Sequence, residues 1–143
     1  MSVTESQPTA TNGAPNPEVA AVAAIPQRVV DAWAANDGDA FADLFTEDAT
    51  ILLPGGVYGK GRETIRQWIT AGYAGPYKGT RVYGEPIDLR FITPTVAVIV
   101  TEGGVLGPGE TTVAPEQLIR ATWTCVKRED GWYLAAYHNC NVN

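Results

Sequence analysis

Apolar residues recur three and four positions apart from Val19 to Trp33, through Val22, Ile25, Val29 and Val30, which is the spacing of one helical face. Ahead of them, Asn16, Pro17 and Glu18 read as an N-cap, a first-turn proline and an acid at the positive helix end, so a helix is predicted to start there. Pro26 lacks a backbone donor and is expected to kink or divide this helix, which Ala34-Ala35-Asn36-Asp37-Gly38 closes. Asp39 then caps a second short helix carrying Phe41, Leu44 and Phe45, ending near Thr46-Glu47-Asp48. A short strand is predicted over 50–53, stopped by Pro54-Gly55-Gly56, and a third helix from about Gly61 to Ala71 with Ile65, Trp68 and Ile69 on one face.

Beyond that helix the period changes. Four extended runs, 80–92, 95–106, 116–128 and 132–141, are separated by Thr93-Pro94, Gly107-Pro108-Gly109 and Arg128-Glu129-Asp130-Gly131, the pattern of antiparallel neighbours. Helices followed by strands indicate an α+β fold with three N-terminal helices on one face of a curved antiparallel sheet. No internal repeat is evident.

A four-residue loop over 128–131 pairs Lys127 with Trp132. Continuing that register by strict alternation sets Trp123 opposite Ala136 and Ala121 opposite His138. The core face then collects Ile119, Ala121, Trp123, Cys125, Leu134, Ala136, His138 and Cys140. The outer face collects Arg120, Thr122, Thr124, Tyr133, Tyr137, Asn139 and Asn141. His138, the single histidine of the chain, is therefore predicted to point inward beside Trp123. Two readings are open for it. It is either a buried imidazole held by a backbone or hydroxyl partner, or a general acid or base, or a donor to a substrate oxygen, in a pocket. In the same register Cys125 and Cys140 stand about six residues apart at roughly 3.3 Å each, too far for a disulfide, so both thiols are expected free.

Composition narrows the functional classes. The 143 residues, 45 % of them apolar, suit one domain with one core over 17–143, and the Ser-, Thr-, Pro- and Asn-rich residues 1–16 are predicted to form a disordered tail. Ten basic against 16 acidic residues, a net charge of -6 and no basic cluster leave nucleic acid and anionic membranes as poor partners. No run approaches the roughly 20 apolar residues of a membrane span, and the start lacks the basic and apolar regions of a signal peptide, so a cytoplasmic location is expected. One histidine and two scattered cysteines match no zinc spacing, and GGVYGKGRET is not a phosphate-binding loop, so neither metal nor cofactor is expected.

The stretches AWAANDGDAFADLFTEDATILLPGG, GKGRETIRQW and DGWYLAAYHNC together resemble the nuclear transport factor two-like superfamily, also called the SnoaL-like or cystatin-like cone fold, over about residues 19–141. Within it the chain is most similar to the SgcJ/EcaC type, known from enediyne antibiotic biosynthesis. The resemblance implies a cone-shaped sheet closed by three helices, a deep apolar pocket and a homodimer through the outer sheet face. Val96, Val98 and Val100 alternating with Ala97 and Ile99 agree with a strand covered on both faces. Laid on the steroid isomerases of the superfamily, the general-base aspartate falls on Leu53, the oxyanion-hole tyrosine on Val29 and the protonated acid on Trp123, so that mechanism is not expected here.

The candidate site is then Trp33, Leu53, Tyr58, Trp68 and Trp123 as substrate-binding residues, with His138 as the catalytic group and Trp123 Nε1–H as an orienting donor. Core filling by the same tryptophans is the competing reading. Asp48 is expected to satisfy backbone donors, and Arg81, Tyr83 and Glu85 to form a pocket mouth or a solvated edge. The resemblance implies a small polyketide intermediate as partner, either cyclised or otherwise carried through a proton-transfer step, or bound by a non-catalytic dimeric carrier. Epoxide or ester hydrolysis would require a pocket acid that this reading does not supply.

Overall fold

In the computed structural model, which describes residues 16–143, Asn16 Oδ1 accepts from the Glu18 amide at 2.8 Å and opens α1, Pro17–Ala34. All but the last residue of the predicted tail lies outside the described residues. Pro26 does not divide α1; it is buried, with Val22, Ile25, Val29 and Trp33, on the inward face. Asn36 ends the turn in the left-handed region, φ 49°, a conformation asparagine tolerates better than most residues. Its side-chain oxygen accepts from the Gly79 amide at 2.9 Å, tying the end of α1 to the approach to the third strand.

Helix α2 is only Gly38–Ala42, and its cap is Asp37, whose Oδ1 accepts from the Ala40 amide at 3.0 Å, two residues before the predicted Asp39. Strand β1, Phe45–Leu53, begins five residues earlier than expected. Phe45 and Thr46 are drawn into the sheet by the last strand, since the Leu134 amide donates to Leu44 O at 2.8 Å and Phe45 pairs with Leu134. Long-range pairing here overrides the local signal of a charged Thr-Glu-Asp stretch. Gly55 and Gly56, both at positive φ, turn the chain into β2, Val57–Lys60, a strand the sequence pattern does not predict. Helix α3 runs Arg62–Ala74, ending three residues later than expected, and buries Ile65, Ile69 and Tyr73. Arg66 joins α3 to α2 through Asp39 at 2.8 Å and Asp43 at 2.9 Å.

The remaining strands are β3, Arg81–Thr93, β4, Val96–Leu106, β5, Ile119–Arg128, and β6, Gly131–Asn141. They form one sheet in the order β2-β1-β6-β5-β4-β3, antiparallel except for the β1–β6 pair. This is the predicted α+β architecture: a curved sheet with the three helices at its concave side. No described helix is long and apolar enough to cross a membrane.

One irregularity decides the orientation of the last strand. Lys127 pairs with Trp132 and Cys125 with Leu134, as predicted, but Thr124 then pairs with Ala136, so Ala135 is an extra residue on β6. Such a bulge reverses which face every later side chain takes. Past it, Trp123 stands opposite Tyr137, Thr122 opposite His138 and Ala121 opposite Asn139. His138 is accordingly on the outer face and exposed, not on the core face. The two cysteines are free, as expected, but lie on opposite faces, Cys125 buried and Cys140 exposed.

Candidate functional site

The helices and the concave sheet face enclose a pocket of about 700 Å³. Its size falls within the roughly 300–1,000 Å³ of small-molecule sites. The inner wall is aromatic. Trp33 from α1 lies 5.1 Å from Tyr77, and Trp68 from α3 meets Tyr77 edge to face at 5.9 Å, centroid to centroid. Opposite them, Trp123 on β5 meets Tyr137 on β6 at 4.9 Å with 80° between the ring planes. Leu53, Val57, Phe41 and Leu134 fill the intervals.

Of the three indole N–H groups in the pocket lining, those of Trp33 and Trp123 are already bonded to protein. Trp33 Nε1 donates to Thr80 Oγ1 at 2.8 Å, and Trp123 Nε1 donates to Thr101 Oγ1 at 2.9 Å. The expectation that the Trp123 N–H orients a guest is therefore corrected: Thr101, facing it from β4, takes that bond. Among the polar groups that line the pocket are Tyr137, Asn139 and Asn141, on the concave side of β6 beyond the bulge. Asn139 Nδ2 donates to the Tyr137 hydroxyl oxygen at 3.0 Å. Burial raises the Tyr137 phenol above its ordinary range, and the bond from Asn139 only partly opposes this, so the phenol stays protonated at neutral pH.

Of the residues the sequence proposed, Trp33, Leu53, Trp68 and Trp123 line this one pocket. Tyr58 does not. It lies on β2 paired with Leu52 of β1, is 63 % exposed, and alternates with Val57 and Gly59, so that Val57 rather than Tyr58 faces inward. His138 does not either, for the reason given by the Ala135 bulge. Asp48 is an exposed residue of β1 whose carboxylate accepts from Thr46 Oγ1 at 3.0 Å, a bond that lowers its pKa; it plays no part in the pocket. Tyr83 reaches the rim with Glu110 and Glu116, while the Arg81 side chain donates to the Glu110 carbonyl instead of pairing with Glu85. Val29, Leu53 and Trp123, the positions on which the steroid-isomerase residues fall when laid on this sequence, all line the pocket, and none carries an acid or a phenol.

The sequence reading missed Tyr77, Thr101, Tyr137 and Asn139. For the last two a signal existed: Ala135-Ala136 interrupts the alternation of Trp132 and Leu134, and a bulge there brings Tyr137 back into phase with the large inward residues.

Comparison with known proteins accords with this geometry. The SnoaL-like domain matches residues 17–138. The chain belongs to the SnoaL-like family. Among solved structures it is similar to a domain of unknown function with a cystatin-like fold from Nostoc punctiforme, at 25 % identity over 91 % of this chain and 80 % of that one, TM-score 0.83. An uncharacterized protein with a cystatin-like fold from Caulobacter vibrioides is similar at 26 % identity over 90 % and 92 %, TM-score 0.75. A ketosteroid isomerase-like protein from Erwinia carotovora atroseptica shares the fold at 18 % identity over 90 % and 98 %, TM-score 0.70. No curated protein matches. What this SnoaL-like chain does must accordingly be argued from its pocket, since the fold hosts many functions.

Proposed function

We propose that this SnoaL-like protein binds a flat, conjugated small molecule, a linear polyene or a derived intermediate of polyketide antibiotic biosynthesis of the enediyne kind. The observation that carries the reading is the pocket itself: about 700 Å³, walled by Trp33, Trp68, Tyr77, Trp123 and Tyr137. Such walls gain contact area on both faces of a planar guest and exclude water from it. The pathway rests on the resemblance to the SgcJ/EcaC type, and the binding chemistry on the pocket.

With His138 outside, the described lining offers no imidazole, and its carboxylates, Glu110 and Glu116, lie exposed at the rim. This favours a binding or carrier role over general-base catalysis. The second reading is cyclisation by confinement, in which the pocket holds the chain bent and the neutral Tyr137 hydroxyl donates to a carbonyl oxygen as charge develops there. Purified protein incubated with the polyene released by an enediyne polyketide synthase, followed by absorbance and mass spectrometry, separates the two. Binding without conversion supports the carrier, and conversion lost in Tyr137→Phe but kept in His138→Ala supports cyclisation. Absence of binding contradicts both.

A homodimer belongs to the same proposal. The outer face presents half-buried Val96, Val98, Val100 and Thr124 with exposed Leu52 and Thr122, a semi-polar surface of the kind used between subunits. Light scattering of the purified chain at the mass of two copies is the expected result; the mass of one copy would remove the dimer from the reading.

A further inference from the structure

Two polar groups on β6, Tyr137 and Asn139, have hydrogen-bonding capacity in the pocket wall that the described protein does not use. The Tyr137 oxygen accepts from Asn139 Nδ2, and its own proton has no described acceptor. Asn139 Oδ1 is buried and without a donor. The two residues lie two apart on β6, both on the concave face and both lining the pocket. Of the other polar groups in the lining, Thr101 Oγ1 takes the Trp123 N–H and Thr80 Oγ1 the Trp33 N–H, while the Gln117 and Asn141 side chains are exposed and open to water. A buried carbonyl left without a partner costs free energy that a bound group can recover. Turning the amide over exchanges which residue donates to the other: the Tyr137 O–H then goes to Asn139 Oδ1, the Tyr137 oxygen becomes the free acceptor and the Asn139 NH2 the free donor, so the pair presents both kinds of group in either orientation.

We propose that Tyr137 and Asn139 act as a paired donor and acceptor selecting a neutral guest whose inner end carries a carbonyl and a hydroxyl or N–H within a few bonds of each other, the hydroxyketone and carboxamide class. The carbonyl accepts from one member of the pair and the hydroxyl or N–H donates to the other. Neutrality follows from the lining: among the described residues it includes no Lys, Arg or His, and its charged members are Glu110 and Glu116. A carboxylate guest would give up its hydration and meet no cation. This inference rests on the polyene-binding reading above and adds which end-group the pocket reads.

Three polyenes of one skeleton test it: retinamide, retinal and retinoate, titrated against the full chain by quenching of tryptophan fluorescence. Retinamide, with donor and acceptor together, is expected to bind at least about fivefold more tightly than retinal, which has the acceptor alone. Retinoate is expected to bind most weakly of the three. Tyr137→Phe and Asn139→Leu, each checked for native circular dichroism, should bring retinamide to within about twofold of retinal while leaving retinal bound. Should either variant fail to fold, the order in the wild type decides alone. Equal binding of retinamide and retinal, tightest binding of retinoate, or a preference that survives in both folded variants overturns the inference and leaves polyene binding intact. Failure of all three to bind overturns the polyene reading and the inference with it.

Discussion

Tyr137 meets Trp123 edge to face across the concave side of the sheet, 4.9 Å between ring centroids, and the residue after it, His138, points the other way. The contact exists because Ala135 is an extra residue on β6. One inserted alanine thereby puts a phenol in the pocket wall where strict alternation would have put an imidazole.

Deleting Ala135 should restore uninterrupted alternation, turning Tyr137 and Asn139 outward and His138 inward. Phe45 and Thr50 of β1, which pair with β6 on either side of the bulge, would then lose their register. The expected result is a large loss of thermal stability together with loss of polyene binding, measured by a melting curve and a fluorescence titration. An unchanged melt would show that the bulge is dispensable.

Trp123 and Tyr137 should separate in stability. Trp123 is a buried core member, and its truncation to alanine should cost about 3–5 kcal/mol in urea unfolding. Tyr137→Phe removes a hydroxyl whose described bond is to Asn139, and the expected cost is about 0.5–1.5 kcal/mol.

Thr101 is nearly buried and holds the Trp123 N–H. Thr101→Val keeps the shape and leaves that donor unpaired, at an expected cost of roughly 1–3 kcal/mol. If a guest can use the released N–H, the variant should bind retinal more tightly than the wild type does, and paired titrations check this.

The cysteines should differ sharply in reactivity. Burial pushes the Cys125 thiol up to about 12, whereas Cys140 is exposed on the outer face. A thiol disulfide-exchange reagent at pH 8 should therefore label one of the two cysteines quickly in the native protein and both in denaturant. Rapid labelling of both in native protein would contradict the packing around Cys125.

Glu18 gives a pH dependence with a definite sign. Its carboxyl is held below its ordinary value of 4.5, chiefly by the hydrogen bonds from Lys127 and Trp132, at 2.9 Å and 2.8 Å. A depressed carboxyl stabilises the fold above the ordinary value, and that contribution is lost as pH falls through the lower folded value. Glu18→Gln should be less stable than wild type at pH 7, with the gap closing in strongly acid solution, as followed by urea midpoints across pH. A gap that widens on acidification would reverse the assignment.

The fold was legible where a local signal and the tertiary structure agree. The Asn16-Pro17-Glu18 start of α1, the apolar faces of α1 and α3, and the four long strands all carry such signals. Strand β1 over Phe45–Asp48 and the short β2 were hidden because their pairing partners, in β6 and in β1, decide them rather than their own composition. The aromatic wall was legible through Trp33, Trp68 and Trp123, as was Leu53 beside it, since large inward residues on helix and strand converge in a small cone. Tyr58 was misplaced because no strand had been assigned to it, and parity is undefined in a loop. His138 was misplaced for a different reason: alternation was carried across Ala135-Ala136, where two small residues in succession conceal a change of phase.

The most direct test of the account uses the fact that the chain has one histidine. In an untagged sample the imidazole signals in a proton–carbon spectrum belong to His138 without further assignment, and the indole N–H of Trp123 is identified by the Trp123→Phe variant. On adding retinal, the account predicts that the Trp123 indole signal shifts while the His138 signals stay within their line width. A guest that moves His138 and leaves Trp123 in place would contradict it, and would return the histidine to the pocket.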